Sequence, residues 1–151
     1  MAVTVRLQVE QFDPGAETNA FLTDTEGMGA AVTFTGLVRT TPGEPVRSLT
    51  LEHYPDLAQK QIERFAKQAI KRFELSNIIV IHRFGRMLPG EPIVQVMTLA
   101  AHRQAAFDGA NFVMDWLKTD APFWKKEETP EGQEWVKARA ADDAAKEKWS
   151  K

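Results

Sequence analysis

Short stretches of alternating or continuous apolar residues recur along the chain and predict its strands. Positions 3–9 alternate between apolar and polar residues, as in a strand with one buried face. The stretches 30–39 and 46–53 predict two more strands, which we expect to pair as a hairpin across the polar loop between them. Two apolar runs, at 78–82 and 93–101, predict further strands with a Pro-Gly turn between them.

Apolar residues at intervals of three and four predict the helices. A short helix is expected over residues 17–23. The second helix follows Asp56, which we expect to act as its N-cap with Gln59 at the capping-box position. Its apolar stripe comprises Ala58, Ile62, Phe65, Ala66, Ala69, Ile70 and Phe73. A third helix is expected over 105–118, with one face formed by Ala106, Ala110, Val113 and Leu117.

A last helix is predicted near the C-terminus. Thr129 and Pro130 have the residue types of an N-cap and a first helical position, so we expect this helix to carry Trp135 and Ala138. The main elements then follow the order β-β-β-α-β-β-α-α, which is typical of an α+β fold with a mixed or antiparallel sheet. A length of 151 residues fits one domain, and no boundary interrupts residues 1–151.

Composition narrows the possible functions. The net charge of −2 argues against a bulk nucleic-acid binder, which usually carries a strong basic excess. The chain has no cysteine, which excludes disulfides, thiolate metal sites and cysteine nucleophiles in it. Its three histidines lack a metal-ligand spacing, so we expect no metal site. We also expect no other cofactor. No apolar run approaches the roughly 20 residues of a membrane helix, and the N-terminus lacks the pattern of a signal peptide, so we expect a cytoplasmic protein.

Candidate chemistry is densest between His102 and Lys126. Lys118 and Lys125 are seven residues apart, separated by a turn that contains Pro122. Because proline cannot continue a helix, the chain must break there, which allows the second lysine to fold back toward the first. Two ammonium groups in one pocket suit an anionic ligand, or a lysine that acts as base or nucleophile.

Each candidate also has an ordinary structural explanation. Arg39 at a strand end is most simply a surface arginine, although a strand end also suits an anion ligand. His102 and Arg103 stand where a strand becomes a helix, and anion binding and helix-entry packing fit that position equally. Lys118 at a helix C-terminus is stabilised by the helix dipole whatever its role.

For several other side chains the structural explanation is the better one. Spacing alone does not decide whether Lys125 or its neighbour points inward. We expect Phe123 and Trp124 to be core anchors. Arg139 is expected to face solvent, and His53 to be a structural histidine with satisfied hydrogen bonds. The residues alone therefore indicate a soluble α+β domain with a candidate anion pocket that contains lysine.

Longer motifs add a family resemblance. They are AVTFTGLVR at 31–39, LTLEHYP at 49–55, VIHRFG at 80–85, AHR at 101–103, MDWLKTDAPFWK at 114–125 and TPEG at 129–132. Together with Trp135 and Arg139, and in this order, these segments resemble the large, catalytic subunits of molybdopterin synthase. The resemblance covers nearly the whole chain, which makes it far more specific than any single motif.

The resemblance implies a fold and a reaction. The fold would be of the α/β hammerhead type with an additional antiparallel β-sheet. The reaction would convert cyclic pyranopterin monophosphate into molybdopterin by installing two sulfurs as a dithiolene. The sulfur would come from a small, ubiquitin-like partner subunit whose C-terminal Gly-Gly ends in a thiocarboxylate. Two large subunits would form a central homodimer, with one small subunit at each end of a heterotetramer.

The resemblance also implies roles for individual residues. Lys118 would be the essential catalytic residue, and Lys125 would support it in acid-base work. The substrate-binding positions would be Arg39, His102, Arg103, Arg139 and Lys125. Arg139 would act in its own pocket or in that of the neighbouring subunit. Residues near the pocket, for which core packing is an equal explanation, are Phe34 and Met114.

Two other functions stay open at this level. The chain could be a binding module that clamps a ubiquitin-like tail while the chemistry occurs elsewhere, but the combination of Lys118, Lys125 and the His-Arg pair favours an enzyme. It could instead bind a phosphate ligand or RNA, and its near-neutral charge disfavours RNA.

Overall fold

The computed structural model describes residues 2–119, 123–136, 147 and 149. Pro122, Ala138 and Arg139 lie outside the described residues. The elements are β1 (Ala2–Gln8), α1 (Pro14–Phe21), β2 (Ala30–Leu37), β3 (Ser48–His53), α2 (Pro55–Phe73), β4 (Asn77–Arg83), β5 (Gly85–Met87), β6 (Pro92–Ala100), α3 (Arg103–Thr119), β7 (Phe123–Thr129) and β8 (Gly132–Val136).

The first sheet is mixed and has the strand order β1-β4-β6-β2. β1 runs parallel to β4, whereas β6 is antiparallel to both β4 and β2. Helices α2 and α3 cover one face of this sheet, and α1 covers the other. Because both faces are covered, β4 is apolar at successive positions: Ile78 and Val80 pack toward α2 and α3, while Ile79 and Ile81 pack toward α1.

The second sheet is antiparallel, with the order β5-β3-β7-β8. The two sheets confirm the α+β prediction with a mixed sheet, and also the additional antiparallel sheet that the resemblance implies. The predicted hairpin between 30–39 and 46–53 is wrong, because β2 pairs with β6 and β3 belongs to the other sheet.

Backbone hydrogen bonds explain how the chain changes sheets between β2 and β3. The amide of Val38 donates to the Glu91 carbonyl at 2.9 Å, and the Gly90 amide donates to the Val38 carbonyl at 2.8 Å. The Arg47 amide then donates to the Glu128 carbonyl at 2.6 Å, which aligns the next strand with β7 instead of β2. The loop is therefore a crossover and not a hairpin turn.

Helix α1 begins earlier than the expected range 17–23. Asp13 is its N-cap, and Oδ1 of this residue accepts hydrogen bonds from the amides of Gly15 at 3.0 Å and Ala16 at 3.1 Å. Pro14 follows as the first helical residue, a position where a missing amide hydrogen costs nothing.

Helix α2 also begins differently from the prediction. Tyr54 is the N-cap, with extended backbone and no side-chain hydrogen bond, and Pro55 is the first helical residue. The predicted Asp56 cap is therefore wrong, and Asp56 lies in the first turn, where its carboxylate complements the helix dipole. Gln59 closes no capping box, because its side chain donates to the Val5 carbonyl at 3.0 Å and links the helix to β1.

The predicted apolar faces of α2 and α3 form the main core. All of the predicted stripe of α2 is buried except Phe73, which is half-buried. The predicted face of α3 is buried throughout: Ala106, Ala110, Val113 and Leu117. The Thr98 hydroxyl donates to the Ala106 carbonyl at 2.7 Å, which fixes the start of α3 to β6.

The predicted C-terminal helix beginning at Thr129 is wrong at its start. Thr129 ends β7, and the chain turns through Pro130 and Glu131 into β8. The Thr129 hydroxyl accepts a hydrogen bond from the Glu131 amide at 3.3 Å and donates to the Gly132 carbonyl at 3.2 Å. A threonine that can cap a helix therefore closes a turn here, because the same short hydroxyl suits both. Trp135 lies on β8 instead of a helix.

Candidate active site

The two lysines that flank the Pro-aromatic turn line one cavity. Lys118 stands in the last turn of α3, and Lys125 lies on β7. The cavity has a volume of about 70 Å³ and is formed by both sheets together with the end of α3. Its lining comprises Phe34, Gly36, Leu37, Leu51, His82, Ile93, Val94, Met114, Leu117, Lys118, Phe123 and Lys125. The described lining thus carries two cationic side chains and no carboxylate, which favours an anionic ligand.

The pleat of β7 decides which of two neighbouring lysines faces this cavity. Lys125 lies opposite Leu51 of β3, and both residues line the cavity. The next residue points to the other side, because side chains alternate along a strand. Lys126 Nζ lies 5.7 Å from the centroid of the exposed Trp135 ring, where a cation–π contact forms.

Apolar side chains make up most of the cavity wall. Phe34 on β2 and Met114 on α3 both line it, although 41 % of Phe34 is exposed. An apolar wall lowers the local dielectric constant and strengthens the attraction between an ammonium group and a bound anion. The arrangement can therefore place an anion beside two lysines, with apolar side chains around it.

His82 is a cavity residue that sequence reasoning did not select. It lies near the end of β4, is 7 % exposed, and shares the cavity with both lysines. Its Nδ1 is 2.8 Å from the Arg83 carbonyl oxygen. Because a carbonyl can only accept, Nδ1 must carry the hydrogen, which leaves Nε2 as an unprotonated acceptor.

The pKa of His82 is lowered to about 4, chiefly by burial; the backbone hydrogen bond to Arg83 raises it, and the charges of Lys125, Lys118 and His53 add smaller lowering contributions. The imidazole is therefore neutral near pH 7. The sequence carried one signal for this: a histidine that ends an apolar strand must be desolvated or paired.

An aromatic cluster holds the His82 ring. The Phe123 ring stacks on it with the centroids 4.2 Å apart, and His53 meets Phe123 edge-on at 5.5 Å. Phe84 contacts His53 on another side at 4.2 Å. The prediction of satisfied hydrogen bonds at His53 is wrong, because both of its ring nitrogens are buried without a partner among the described residues. Its neighbours are phenyl rings, which offer no acceptor.

The aromatic pair at the start of β7 divides between the interior and the surface. Phe123 packs against two core clusters, as predicted for a core anchor. Trp124 is 43 % exposed and contacts the exposed Tyr54 edge-on at 4.9 Å. The core prediction is therefore wrong for Trp124, since strand alternation turns it away from the side that Phe123 occupies.

Arg39 lies in a different cavity from the two lysines. This second cavity has a volume of about 410 Å³ and lies between the crossover loop and the β7–β8 turn. Its lining includes Arg39 together with Glu44, Glu127 and Glu131. Arg39 therefore does not join the lysines within the same cavity of this chain.

The remaining predicted site residues also lie apart from the lysine cavity. His102 and Arg103 are exposed at the start of α3, at the opposite end of that helix from Lys118. Neither lines the lysine cavity. Arg139 lies outside the described residues, so the structure gives it no position. Of the predicted set, the structure brings together Lys118, Lys125, Phe34 and Met114.

Two features of the described residues bear on other functions. Across residues 2–119, 123–136, 147 and 149, no three histidine or acidic side chains are grouped as ligands of a metal ion would be. In that same part of the chain, no helix combines the length and apolar character that crossing a bilayer requires.

The fold and the lysine cavity together define an α+β protein with a lysine-lined cavity between two sheets. A family model described as "MoaE protein" matches residues 7–120, and the chain belongs to that family. The molybdopterin synthase catalytic subunit of Rhizobium meliloti is 52 % identical over 99 % of this chain and 97 % of the relative. That of Pseudomonas aeruginosa is 49 % identical over 97 % of this chain and 99 % of the relative.

A solved structure agrees with these sequence relatives. The molybdopterin biosynthesis MoaE protein from Burkholderia ambifaria is 45 % identical and superposes with a TM-score of 0.83. The match covers 100 % of this chain and 99 % of the other. The α+β fold class and the family resemblance are thereby confirmed.

Proposed function

We propose that this chain is the catalytic subunit of a cytoplasmic molybdopterin synthase, working as one large-subunit domain over residues 1–151. It converts cyclic pyranopterin monophosphate to molybdopterin by transferring two sulfurs from a small partner subunit. The observation that carries the proposal is the convergence of Lys118 and Lys125 on one narrow cavity in a member of this family. The shared description of the relatives as catalytic subunits supports it and requires at least one further subunit.

The chain's composition supports an external sulfur donor. Without any cysteine, this subunit cannot carry the sulfur as its own persulfide or thiolate. A thiocarboxylate at the C-terminus of a ubiquitin-like partner meets this need, because it is an anion at the end of a chain. A cavity of about 70 Å³ suits a Gly-Gly terminus, which has no side chains to accommodate.

Lys118 and Lys125 supply the charges for this chemistry. Their ammonium groups neutralise the thiocarboxylate as it enters, and Lys118 orients it toward the substrate carbon. Each thiocarboxylate carries one sulfur, which bonds to a substrate carbon as an oxygen substituent leaves that carbon; water then attacks the acyl carbon, the carbon–sulfur bond to the carrier breaks, and a carboxylate remains. Two loaded partners are therefore consumed for each molybdopterin.

The arginine and histidine positions are proposed to bind the substrate. Arg39 lines the larger second cavity beside Glu44, Glu127 and Glu131, and we assign its guanidinium to the phosphate of the substrate. His102 and Arg103 do not line the lysine cavity of their own chain, so we assign them, with Arg139, to a pocket completed across a central homodimer. One small subunit at each end then gives a heterotetramer.

Single-turnover formation of molybdopterin tests the proposal. Wild type, Lys118→Ala and Lys126→Ala are mixed with cyclic pyranopterin monophosphate and the thiocarboxylated partner. We expect product with wild type and with Lys126→Ala, whose side chain lies on the other face of β7. Lys118→Ala should lose at least about 100-fold in rate while still binding the partner.

Two outcomes would contradict this assignment. If wild type binds the partner but forms no product, the chain is a binding module and the chemistry lies elsewhere. If Lys118→Ala and Lys126→Ala lose equal activity, lining the cavity does not distinguish a catalytic lysine from a surface lysine.

A further inference from the structure

The lysine cavity contains one further polar side chain with no assigned role. Ten of its twelve lining residues are not lysine, and nine of those are apolar or glycine. The remaining one is His82. His82 is therefore the one neutral polar side chain in the described lining that a lysine ammonium group inside the cavity could contact.

The His82 ring is held in a single orientation. Its face stacks on Phe123, with an angle of 13° between the planes. Its Nδ1–H donates to the Arg83 carbonyl at 2.8 Å, which fixes the tautomer. Nε2, on the other side of the ring, is a bare acceptor, and no described residue donates to it.

Lys118 needs an acceptor if its ammonium group is to be pre-organised. Lys118 is exposed at a helix end, and no described residue holds its ammonium group by a hydrogen bond or an ion pair. A lysine side chain has a long flexible stem, so an unheld ammonium group occupies many positions. A catalytic group gains rate when it is held in its reactive position beforehand.

We propose that His82 is a positioning residue for the sulfur transfer: its Nε2 accepts a hydrogen bond from a lysine ammonium group in the cavity and aims that group at the incoming anion. This inference rests on the proposed function and deepens it. Only an unprotonated ring can serve, because an imidazolium has no acceptor and repels both lysines. Burial and the two lysine charges keep the pKa of His82 low, so the acceptor is present near pH 7.

The contact itself is tested by ¹⁵N NMR of the histidine side chains in wild type, Lys118→Met and Lys125→Met. We expect the Nε2 resonance of His82 to move in at least one lysine variant, while the resonances of His53 stay in place. The change in its chemical shift should have the sign expected when Nε2 loses a hydrogen bond. An Nε2 resonance that is unchanged in both variants would overturn the proposal, and this test leaves His82 itself intact.

The functional consequence is tested with His82→Phe, His82→Gln and the control His53→Phe. His82→Phe keeps a ring against Phe123 but removes Nε2, and we expect kcat to fall about 10- to 100-fold with KM for the loaded partner changed less than about twofold. His82→Gln restores an acceptor and should recover part of that loss. His53 contacts the same Phe123 but does not line the cavity, so His53→Phe should keep the wild-type kcat.

A double-mutant comparison separates positioning from packing. If Nε2 acts through a lysine, adding His82→Phe to the corresponding lysine variant causes little further loss. Equal losses in His82→Phe and His82→Gln, additive with both lysine variants, would show that only packing is affected and would overturn the proposal. Failure of wild type to form molybdopterin would instead refute the proposed function, while the NMR comparison would still decide the His82–lysine contact.

Discussion

The imidazole of His82 lies almost parallel to the ring of Phe123, with the centroids 4.2 Å apart and the planes inclined by 13°. Phe123 is the first residue of β7, so this stack packs the start of the strand against β4. Lys125 follows two residues later on the same face, and both side chains reach the cavity. A contact between two rings thus determines where a lysine two residues away is presented.

Replacing Phe123 should therefore affect both stability and activity. We expect Phe123→Leu to lower the free energy of unfolding by about 1 to 3 kcal/mol, because it removes ring contacts with both histidines and part of a core cluster. Urea denaturation measures this. Trp124→Leu is the matched control: its ring is largely on the surface, so its cost should stay below about 1 kcal/mol. A larger cost for Trp124→Leu would contradict the alternation described for β7.

The low pKa of His82 predicts how stability depends on pH. The unfolded chain binds a proton near pH 6.5, whereas the folded chain does so only near pH 4. The folded state favours the neutral form of His82. The contribution of this neutral form to the free energy of unfolding is complete above pH 6.5 and is lost as the pH falls toward 4. The loss is on the order of 3 kcal/mol for a buried group.

Denaturation of wild type and His82→Gln across this range checks the prediction. The difference in unfolding free energy between the two proteins should shrink or reverse as the pH falls, because glutamine does not titrate. A constant difference from about pH 7 to pH 4 would show that His82 is protonated equally in the folded and unfolded states.

The orientation of Lys125 and Lys126 predicts different effects on binding of the carrier tail. Lys125→Gln removes a charge from an apolar cavity, where a charge-assisted hydrogen bond contributes about 1.5 to 3 kcal/mol, so affinity for the thiocarboxylated partner should fall by roughly 10- to 100-fold. Lys126→Gln removes a surface charge over Trp135 and should change affinity by less than about threefold. Titration calorimetry measures both. Equal losses would mean that the tail binds outside the lysine cavity.

The turn between β7 and β8 should depend on Gly132. Its φ of 134° lies in a region that side chains rarely adopt, so Gly132→Ala should cost about 1 to 3 kcal/mol of stability. Gly43→Ala is the control, since Gly43 has open space around its Cα and no positive φ. That variant should stay within about 0.5 kcal/mol of wild type in thermal unfolding. A neutral Gly132→Ala would refute the turn geometry.

The sequence predicted those parts of the fold that depend on local periodicity. The apolar runs of β4 and β6 and the stripe of α2 are largely buried, as predicted, and Val3, Val5 and Leu7 of β1 pack against the main core, whereas Val9 lies beyond the strand and is exposed. Strand pairing failed where it depends on distant residues. β3 pairs with β7, 70 to 80 positions away, because hydrogen bonds to Glu91 and Glu128 tie the two ends of the loop after β2 to different sheets.

Only those parts of the site that are marked in the sequence by charged residues and by a proline were predicted. A proline between two lysines raised the expectation that Lys125 folds back toward Lys118, and both lysines line one cavity. His82 was missed because β4 shows only that the residue is buried, whereas its neighbours come from α3 and β7. Thr129 was misassigned because a hydroxyl that caps a helix also closes a turn, and only the following strand distinguishes the two.

Because side chains alternate along β7, a shift of the strand by one residue would change which lysine faces the cavity. Deleting one residue within β7 ahead of Lys125 would place Lys126 opposite Leu51, at the cavity, and would move Lys125 to the other face at the present position of Trp124. Net charge, composition and strand length would barely change. Such a deletion would still leave a lysine at the cavity, because the two lysines are adjacent. The His82–Phe123 stack and the pairing of Leu51 with Lys125 favour the native register.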